Sequence, residues 1–596
     1  SRYQSLIEGA IKPQWALLGA TFIAICSFLP LYLAPASVAE IVKPLFVVLA
    51  VSLGLSWILA LCQTTTFGNF ILKEAVPGGA MKDPYDTKLY HKFEKFLTLL
   101  IKRRFVTLTT VFVTLVLSLV IMAVMPQSFF PKMNKPYFRA DLVFPEGFSI
   151  HAVDQDVMKV EDYLKNHEKV KSYSVTLGGT PLRYYLASSS FGPKSNYANV
   201  MVETKDPEDA AEVEQQFYEH MTQNFPNIIT RSALFALSPV PEAAIEIGFI
   251  GENPDTLTAL VERAKKIARQ CDMVTDIRSN WGDKVPVWKP MFSQQKGLRL
   301  GITRQQVANS FRTATNGLPL GEYREGDVSL PILLKDEDVE KMNLNDVKSV
   351  PVFSTKGNSV KVEQVIDNFA LGYDYNVVRR FNRERCMMMQ CEPKRGANTM
   401  AAFKQVLTAV QEQMQLPEGY KMKYFGEQET QDVSNAALAK NIPLTFLLIY
   451  VVLLFLFPSN YRKPVLIMLM LPLVFIGVVW GLLLFGKSLD FFAILGLLGL
   501  IGMNIKNAIV LVDEIGLQLK DGKGAVPAVV EATKTRIVPV TMASGTTILG
   551  MLPLLGDAMF AGMAATIMGG LFVSTVLTIF VLPVTYCIFF KIRADR

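Results

Sequence analysis

Apolar residues gather into eight long stretches, at about 13–34, 41–63, 105–125, 441–458, 464–485, 491–512, 537–555 and 564–590. Each approaches or exceeds the ~20 residues that a helix needs to cross hydrocarbon, so eight transmembrane helices are predicted. Between the third and fourth stretches the pattern changes. Residues 137–242 read strand, helix, strand, strand, helix, strand, with "YFRADLVFP" (137–145) and "YANVMVET" (197–204) as strands. "AVDQDVMKVEDYLKN" (152–166) and "DAAEVEQQFYEHMTQNF" (209–225) repeat apolar residues at helical spacing. This is the split βαβ order. Half of a second unit follows in "AAIEIGFIG", "TLTALVERAKKIARQC" and "VTDIRSN" (243–280), and its complement stands in "RERCMMMQCEP", "TMAAFKQVLTAVQEQM" and "YKMKYFGE" (383–427). The stretch between them, about 286–380, reads as an inserted subdomain. "LYHKFEKFLTLLIKRRF" (89–105) reads as an amphipathic helix at a membrane surface.

Charge sets the orientation. The connection after the second span carries Lys73, Lys82, Lys88, Lys92, Lys95, Lys102, Arg103 and Arg104. Alternate connections continue the bias with Arg462 and Lys463, then Lys520, Lys523, Lys534 and Arg536, then Lys591, Arg593 and Arg596. The positive-inside rule puts these in the cytoplasm and the insertion at 126–435 outside. The net charge of +7 therefore reflects topology and points to no nucleic-acid partner. The chain is 50% hydrophobic and 19% charged, which fits a polytopic membrane protein with a large aqueous domain. Six cysteines and four histidines form no zinc spacing and no disulfide framework. Met387, Met388 and Met389 invite a metal-ligand reading, but consecutive strand residues alternate faces.

One residue breaks the apolar pattern. Lys506 lies in "GLIGMNIKNAIVLVDEI" (499–515), where a charge near mid-membrane costs roughly 2.5–3.5 kcal/mol. Either it snorkels to the interface or it faces a polar partner inside a bundle. Asn504 and Asn507 flank it, while Asp513 and Glu514 are expected near the cytoplasmic end, solvated and without a buried partner. An internal repeat relates "EGAIKPQWALLGATFIAICSFLP" from Glu8 to "EATKTRIVPVTMASGTTILGMLP" from Glu531, each ending in proline, at Pro30 and Pro553. Repeats of this kind are common in transporters. Residues 1–63 then correspond to the last two spans of a first half, and four further spans and a second external domain are expected before Ser1.

These features resemble the resistance-nodulation-cell division (RND) superfamily, specifically its hydrophobe/amphiphile multidrug efflux branch, the AcrB and MexB type. The likeness rests on "PQSFFPKMNKPYFRADLVFPEGFS" (126–149), "LPLVFIGVVWGLLLFGKSLDFFAILGLLGLIGMNIKNAIVLVDEI" (471–515) and "RIVPVTMASGTTILGMLPL" (536–554). It implies an α+β membrane protein with eight transmembrane helices and a large periplasmic domain of ferredoxin-like porter subdomains. The expected divisions are the two spans of 1–63, a cytoplasmic connection at 64–104 and a span at 105–125. A first porter subdomain at 126–242 follows, then a second at 243–285 and 381–435, a docking subdomain at 286–380 and a five-span bundle at 436–596. The implied function is proton-driven export of amphiphilic compounds from the inner membrane, without a cofactor and without enzymatic chemistry. The implied partners are two more copies in a homotrimer, a periplasmic membrane-fusion adaptor, a TolC-like outer-membrane channel, amphiphilic small molecules and membrane lipids.

The resemblance also implies roles for residues. Lys506 falls on the family's relay lysine and Arg536 on the arginine opening the eleventh span. The expected hydroxyl falls on Ala543 in a gap-free match, so either the role moves to Ser544, with Thr541 nearby, or the local register differs; Asn507 is counted with the relay residues. By region, Tyr184, Tyr185, Phe191 and Tyr197 correspond to pocket aromatics, with ordinary core packing as the competing reading. Phe235 and Leu237 fall at an outer entrance, and Arg278 on an entrance arginine. A heavy-metal RND pump is the alternative, and a SecDF-like or Patched-like export-assisting or lipid-handling protein is a third reading.

Overall fold

The computed structural model describes residues 2–11, 14–33, 37–71, 85, 87–128, 135–145, 148–182, 193–235, 242–336, 344–354, 357–458 and 460–592. Eight helices in it are long and apolar enough to cross a membrane: Leu6–Leu33, Lys43–Ile71, Arg104–Val124, Gly426–Leu456, Arg462–Leu484, Phe491–Lys520, Ala525–Gly556 and Ala561–Phe589. Several outrun their apolar stretches. The fourth begins at Gly426, well before the apolar run at 441, because "GEQETQDVSNAALAK" contains no residue that stops a helix. Hydrophobicity marks how much of a helix lies in hydrocarbon; capping marks where it ends.

Arg462–Leu484, Phe491–Lys520 and Ala561–Phe589 form the interior of the bundle, about two thirds buried each. Small residues bring two of them together. A Cβ on Gly481 would meet the Ala565 carbonyl at 2.7 Å, and one on Gly569 would meet the Gly481 Cα at 2.4 Å. Gly477 makes a similar approach to the Gly569 carbonyl at 2.6 Å. Backbones this close maximise dispersion contact where lipid offers no hydrophobic drive. Gly502, on the central span, lies against Ala24 of the first, where an added Cβ would come within 2.7 Å of the Ala24 Cα.

The polar tract builds two sheets. In the first, β1 (Tyr137–Val143), β2 (Val170–Leu177), β3 (Tyr197–Thr204) and β4 (Ile229–Leu234) take the order β2-β3-β1-β4. Its pairs are antiparallel. Helices Ile150–Lys165 and Ala210–Asn224 cover one face through Val153, Val157, Val160, Phe217 and Met221. In the second, β5 (Ile245–Ile250) pairs antiparallel with both Glu384–Pro393 and Lys421–Phe425, and β6 (Val274–Ser279) pairs with Glu384–Pro393. Both sheets thus share one strand order. Met387 and Met389 are fully buried in this second sheet, while Met388 is half-buried.

Residues Ser279–Arg380 form a separate compact unit, against the expected 286–380. Its core is Ile302, Val307, Val350, Val352, Val362 and Val365, beside the antiparallel pair Lys284–Phe292 and Ile366–Tyr375. A hairpin, Leu318–Glu325 with Val328–Leu334, stands exposed on both faces. Leu320, Tyr323, Leu330 and Ile332 are about half exposed or more.

Candidate functional site

The central span, Phe491–Lys520, starts on an Asp490 cap whose Oδ1 accepts from the Ala493 N–H at 2.7 Å. From there it carries two polar layers. In the first, Asn507 Nδ2 donates to Ser544 Oγ at 3.3 Å. Thr575 Oγ1 lies 2.6 Å from Ser544 Oγ and 2.7 Å from the Leu571 carbonyl oxygen. Ser544 Oγ thus accepts from both Asn507 and Thr575, and the single Thr575 proton is shared between Ser544 and the Leu571 carbonyl. All three side chains are buried, and the layer joins three spans. Ala543, by contrast, is exposed, so Ser544 is the hydroxyl that faces the central span. Thr541 is also exposed and donates to its own helix at Ile537 O, 2.6 Å away, outside this layer.

The second layer lies about 10 Å further along the central span, at 1.5 Å per residue. Here Arg536 donates to Glu514 Oε2 from Nη2 at 2.5 Å and from Nε at 3.1 Å. Gln518 Nε2 donates to the other oxygen, Oε1, at 2.8 Å. Glu514 is buried, with its side chain 11% exposed. This corrects the expectation of a solvated Glu514: Arg536 enters from the neighbouring span and supplies the partner. Arg536 belongs to this layer and not to the level of Lys506. Sequence order hid the pairing because it depends on which helices touch and at what height.

Lys506 is exposed in an otherwise buried stretch of helix, and no described residue gives it an ion pair or a hydrogen bond. It occupies a side of the central span that the described elements leave uncovered. Asn507, next in sequence, turns inward.

In the sheet-bearing part of the chain, Tyr184, Tyr185, Phe191 and Leu237 lie outside the described residues. Tyr197 is 2% exposed on β3, and its hydroxyl donates to Asp141 Oδ1 at 2.6 Å, beside Asn199 Nδ2 at 2.7 Å. It lies on the face of β3 opposite Ala198 and Val200, which pack against the helices, and burial, with the Asp141 carboxylate, pushes its phenol above the ordinary range. Phe235 is buried just past β4. Arg278 is tied into a charged cluster between the two sheets. It pairs with Asp276, donates to the Glu242 carbonyl oxygen at 2.7 Å and reaches Glu392 Oε1 at 3.3 Å. Arg231 Nε donates to Asp276 at 2.6 Å from the first sheet. Glu246 lies alongside, accepting at Oε1 from the Ala243 N–H at 3.1 Å and from Gln390 Nε2 at 2.9 Å. Burial pushes its carboxyl up to about 7, with Glu242 adding to the rise and Arg278 opposing it.

Comparison with known proteins places this arrangement. The AcrB/AcrD/AcrF family matches residues 2–590. The chain is 22% identical to "Swarming motility protein SwrC" of Bacillus subtilis, over 100% of the chain and 56% of that protein. It is 27% identical to "Nickel and cobalt resistance protein CnrA" of Cupriavidus metallidurans, over 59% of the chain and 33% of that protein. It is 23% identical to "Multidrug export protein AcrF" of Escherichia coli, over 96% of the chain and 57% of that protein. Among solved structures, a crystal form of a heavy metal efflux pump superposes with TM-score 0.77 at 16% identity, over 98% of the chain and 59% of the pump. The chain spans about half the length of curated relatives that it matches end to end. With the family matched along nearly its whole length, and eight apolar helices built around one polar central span, the chain belongs to the AcrB/AcrD/AcrF family of RND transporters.

Proposed function

We propose that the chain is part of a proton-driven exporter of amphiphilic compounds, and that Lys506 is its energy-coupling cation. The observation that carries this reading is a lysine without an ion-pair partner among the described residues, beside the buried Asn507–Ser544–Thr575 layer. A lysine facing lipid at that depth would cost about 3 kcal/mol, so a polar partner is the economical alternative. That partner is an acidic side chain from outside the described residues. When it gains a proton the ion pair is lost, and the central span is free to shift. The Arg536–Glu514 pair holds the neighbouring span in register while this happens.

Relatives include both a multidrug exporter and a nickel and cobalt resistance protein, so the transported class is argued from this chain. Among the described residues no three His, Cys, Asp or Glu side chains are grouped to hold a metal ion. Met387 and Met389 are buried in a sheet core. Both facts favour organic amphiphiles, with Tyr184, Tyr185, Phe191 and Leu237 as pocket residues alongside Phe235. Arg278 serves as a structural tether between the sheets in this reading. The doubly exposed hairpin at 318–334 is marginal as an isolated ribbon, which supports docking onto further copies in a homotrimer. A location in the inner membrane, with the sheets in the periplasm and an adaptor and TolC-like channel beyond, completes the proposal.

The test is dye and metal efflux from energised cells carrying the wild-type protein or Lys506→Ala. Loss of dye efflux in the variant, with assembly unchanged, is the expected result. Lys506→Arg restores efflux only in part, because a planar guanidinium does not replace a compact ammonium. Dye efflux by Lys506→Ala at the wild-type rate would remove the coupling role, and nickel or cobalt efflux without dye efflux would move the substrate class to metals.

A further inference from the structure

The helix Lys88–Lys102 precedes the third span and is capped by Thr87. Its Phe93, Leu97 and Ile101 are buried in the bundle core. Phe93 and Phe96 both rest on Phe580, at centroid distances of 5.6 and 5.4 Å. Phe580 lies about 13 Å short of the end of its span at Phe589, counting 1.5 Å per residue. The helix therefore lies along the flank of the bundle, alongside the last turns of that span.

Its free surface has two parts. Leu89, Phe96 and Leu99 are 72%, 50% and 47% exposed. Lys88, Lys92, Lys95 and Lys102 are exposed as well. At 3.6 residues per turn these four lysines fall within about a quarter of the circumference, directly opposite the buried face. Glu94 is the only acidic residue of the helix and lies off this ridge. Among the described residues none of the four lysines forms an ion pair. Four uncompensated ammonium groups beside exposed leucine and phenylalanine, on a helix that leads directly into a span at Arg104, match one surface: acidic headgroups above an acyl boundary.

We infer that Lys88–Lys102 is a docking ridge for anionic phospholipids, its four lysines holding headgroup phosphates while Leu89, Phe96 and Leu99 enter the acyl boundary. This rests on the helices crossing a membrane and is independent of what the protein exports. The occupant is a phospholipid and not free phosphate, because the apolar residues require chains to cover them. Acidic lipid bound along the ridge would fix the height of the third span, which begins at Arg104 directly after it.

The experiment is lipid retention by the full chain, measured by native mass spectrometry after reconstitution in mixed phosphatidylcholine and phosphatidylglycerol. The wild type is expected to retain phosphatidylglycerol preferentially, and the preference to fall as salt is added. The quadruple variant Lys88→Gln, Lys92→Gln, Lys95→Gln, Lys102→Gln should lose that preference by tenfold or more, given about fivefold per lysine near an anionic surface. The double variant Lys88→Gln, Lys95→Gln provides an intermediate should the quadruple protein fail to assemble. Equal retention of both lipids by the wild type, a salt-independent preference, or displacement by millimolar inorganic phosphate would each overturn the inference. Efflux does not enter the readout, so loss of the transport reading leaves this result standing.

Discussion

Arg536 reaches across from the seventh span to Glu514 on the sixth, donating twice to one carboxylate oxygen, with Nη2 at 2.5 Å and Nε at 3.1 Å. Removing one partner leaves the other charge half-buried and unpaired. Glu514→Ala is expected to lower stability by about 1–3 kcal/mol, less than for a fully buried pair because Arg536 is 37% exposed. The double variant Glu514→Leu, Arg536→Leu should recover part of the loss. Thermal unfolding midpoints in detergent check both. A double variant no better than the singles would mean that neither charge was compensating the other.

The hydroxyl layer makes a second expectation. Ser544→Ala leaves Asn507 Nδ2 without its acceptor and Thr575 Oγ1 with only the Leu571 carbonyl to donate to, at a cost of about 1–2 kcal/mol. Ala543→Ser, one residue away on an exposed position, should change the midpoint little. If the two substitutions had equal effects, the layer would not be holding the three spans together.

Glu246 gives a pH dependence with a definite sign. Its carboxyl is raised from an ordinary 4.5 to about 7 by burial, so between these values the folded protein holds a proton that the unfolded chain releases. Stability then falls as pH rises from about 4.5 to about 7, and is lowest above that window. Glu246→Gln keeps an oxygen for the Ala243 N–H and the Gln390 amide but carries no charge. It should flatten the profile and stabilise the protein by roughly 3 kcal/mol at pH 8, at 1.36 kcal/mol per pH unit. Parallel profiles for wild type and variant would place the titration elsewhere.

Close helix contact supplies a test in the bundle. Gly569→Val should prevent accumulation of folded protein, because its Cβ would lie 2.4 Å from the Gly481 Cα, and backbone cannot yield as a side chain can. Gly545→Ala, with nothing within 4 Å, should accumulate normally. Yields of monodisperse protein after detergent extraction distinguish the two.

Much of this was readable from the chain, and the unread parts share a cause. Eight apolar stretches and the strand–helix alternation after Tyr137 announce themselves, because periodicity is local. Lys506 and Asn507 stand out as polar residues in an apolar run. Glu514 reads as solvated because a carboxylate near a helix end ordinarily is, and nothing along one helix says that an arginine from another reaches it. Thr575 carries no signal for the same reason: a threonine in a span has many neighbours in sequence that explain it equally well. Tyr197 reads equally as pocket aromatic or core along the chain; its bond to Asp141 on the sheet face away from the helices is set by the register of β1 against β3, which the sequence does not display.

The strand Lys421–Phe425 passes into the helix Gly426–Leu456 without a connecting loop. Gly426 makes the turn at φ +81°, where an added Cβ would strike the Ala244 carbonyl at 2.8 Å, and the next interruption is Pro443. The segment between them is a stiff rod of roughly 25 Å at 1.5 Å per residue. Its far end continues into the edge strand of a sheet, hydrogen-bonded along β5. A lever with one joint at each end conveys tilt instead of absorbing it. Any rocking of that helix is therefore delivered as a pull on the edge strand of the sheet, with only two torsional joints to take up slack.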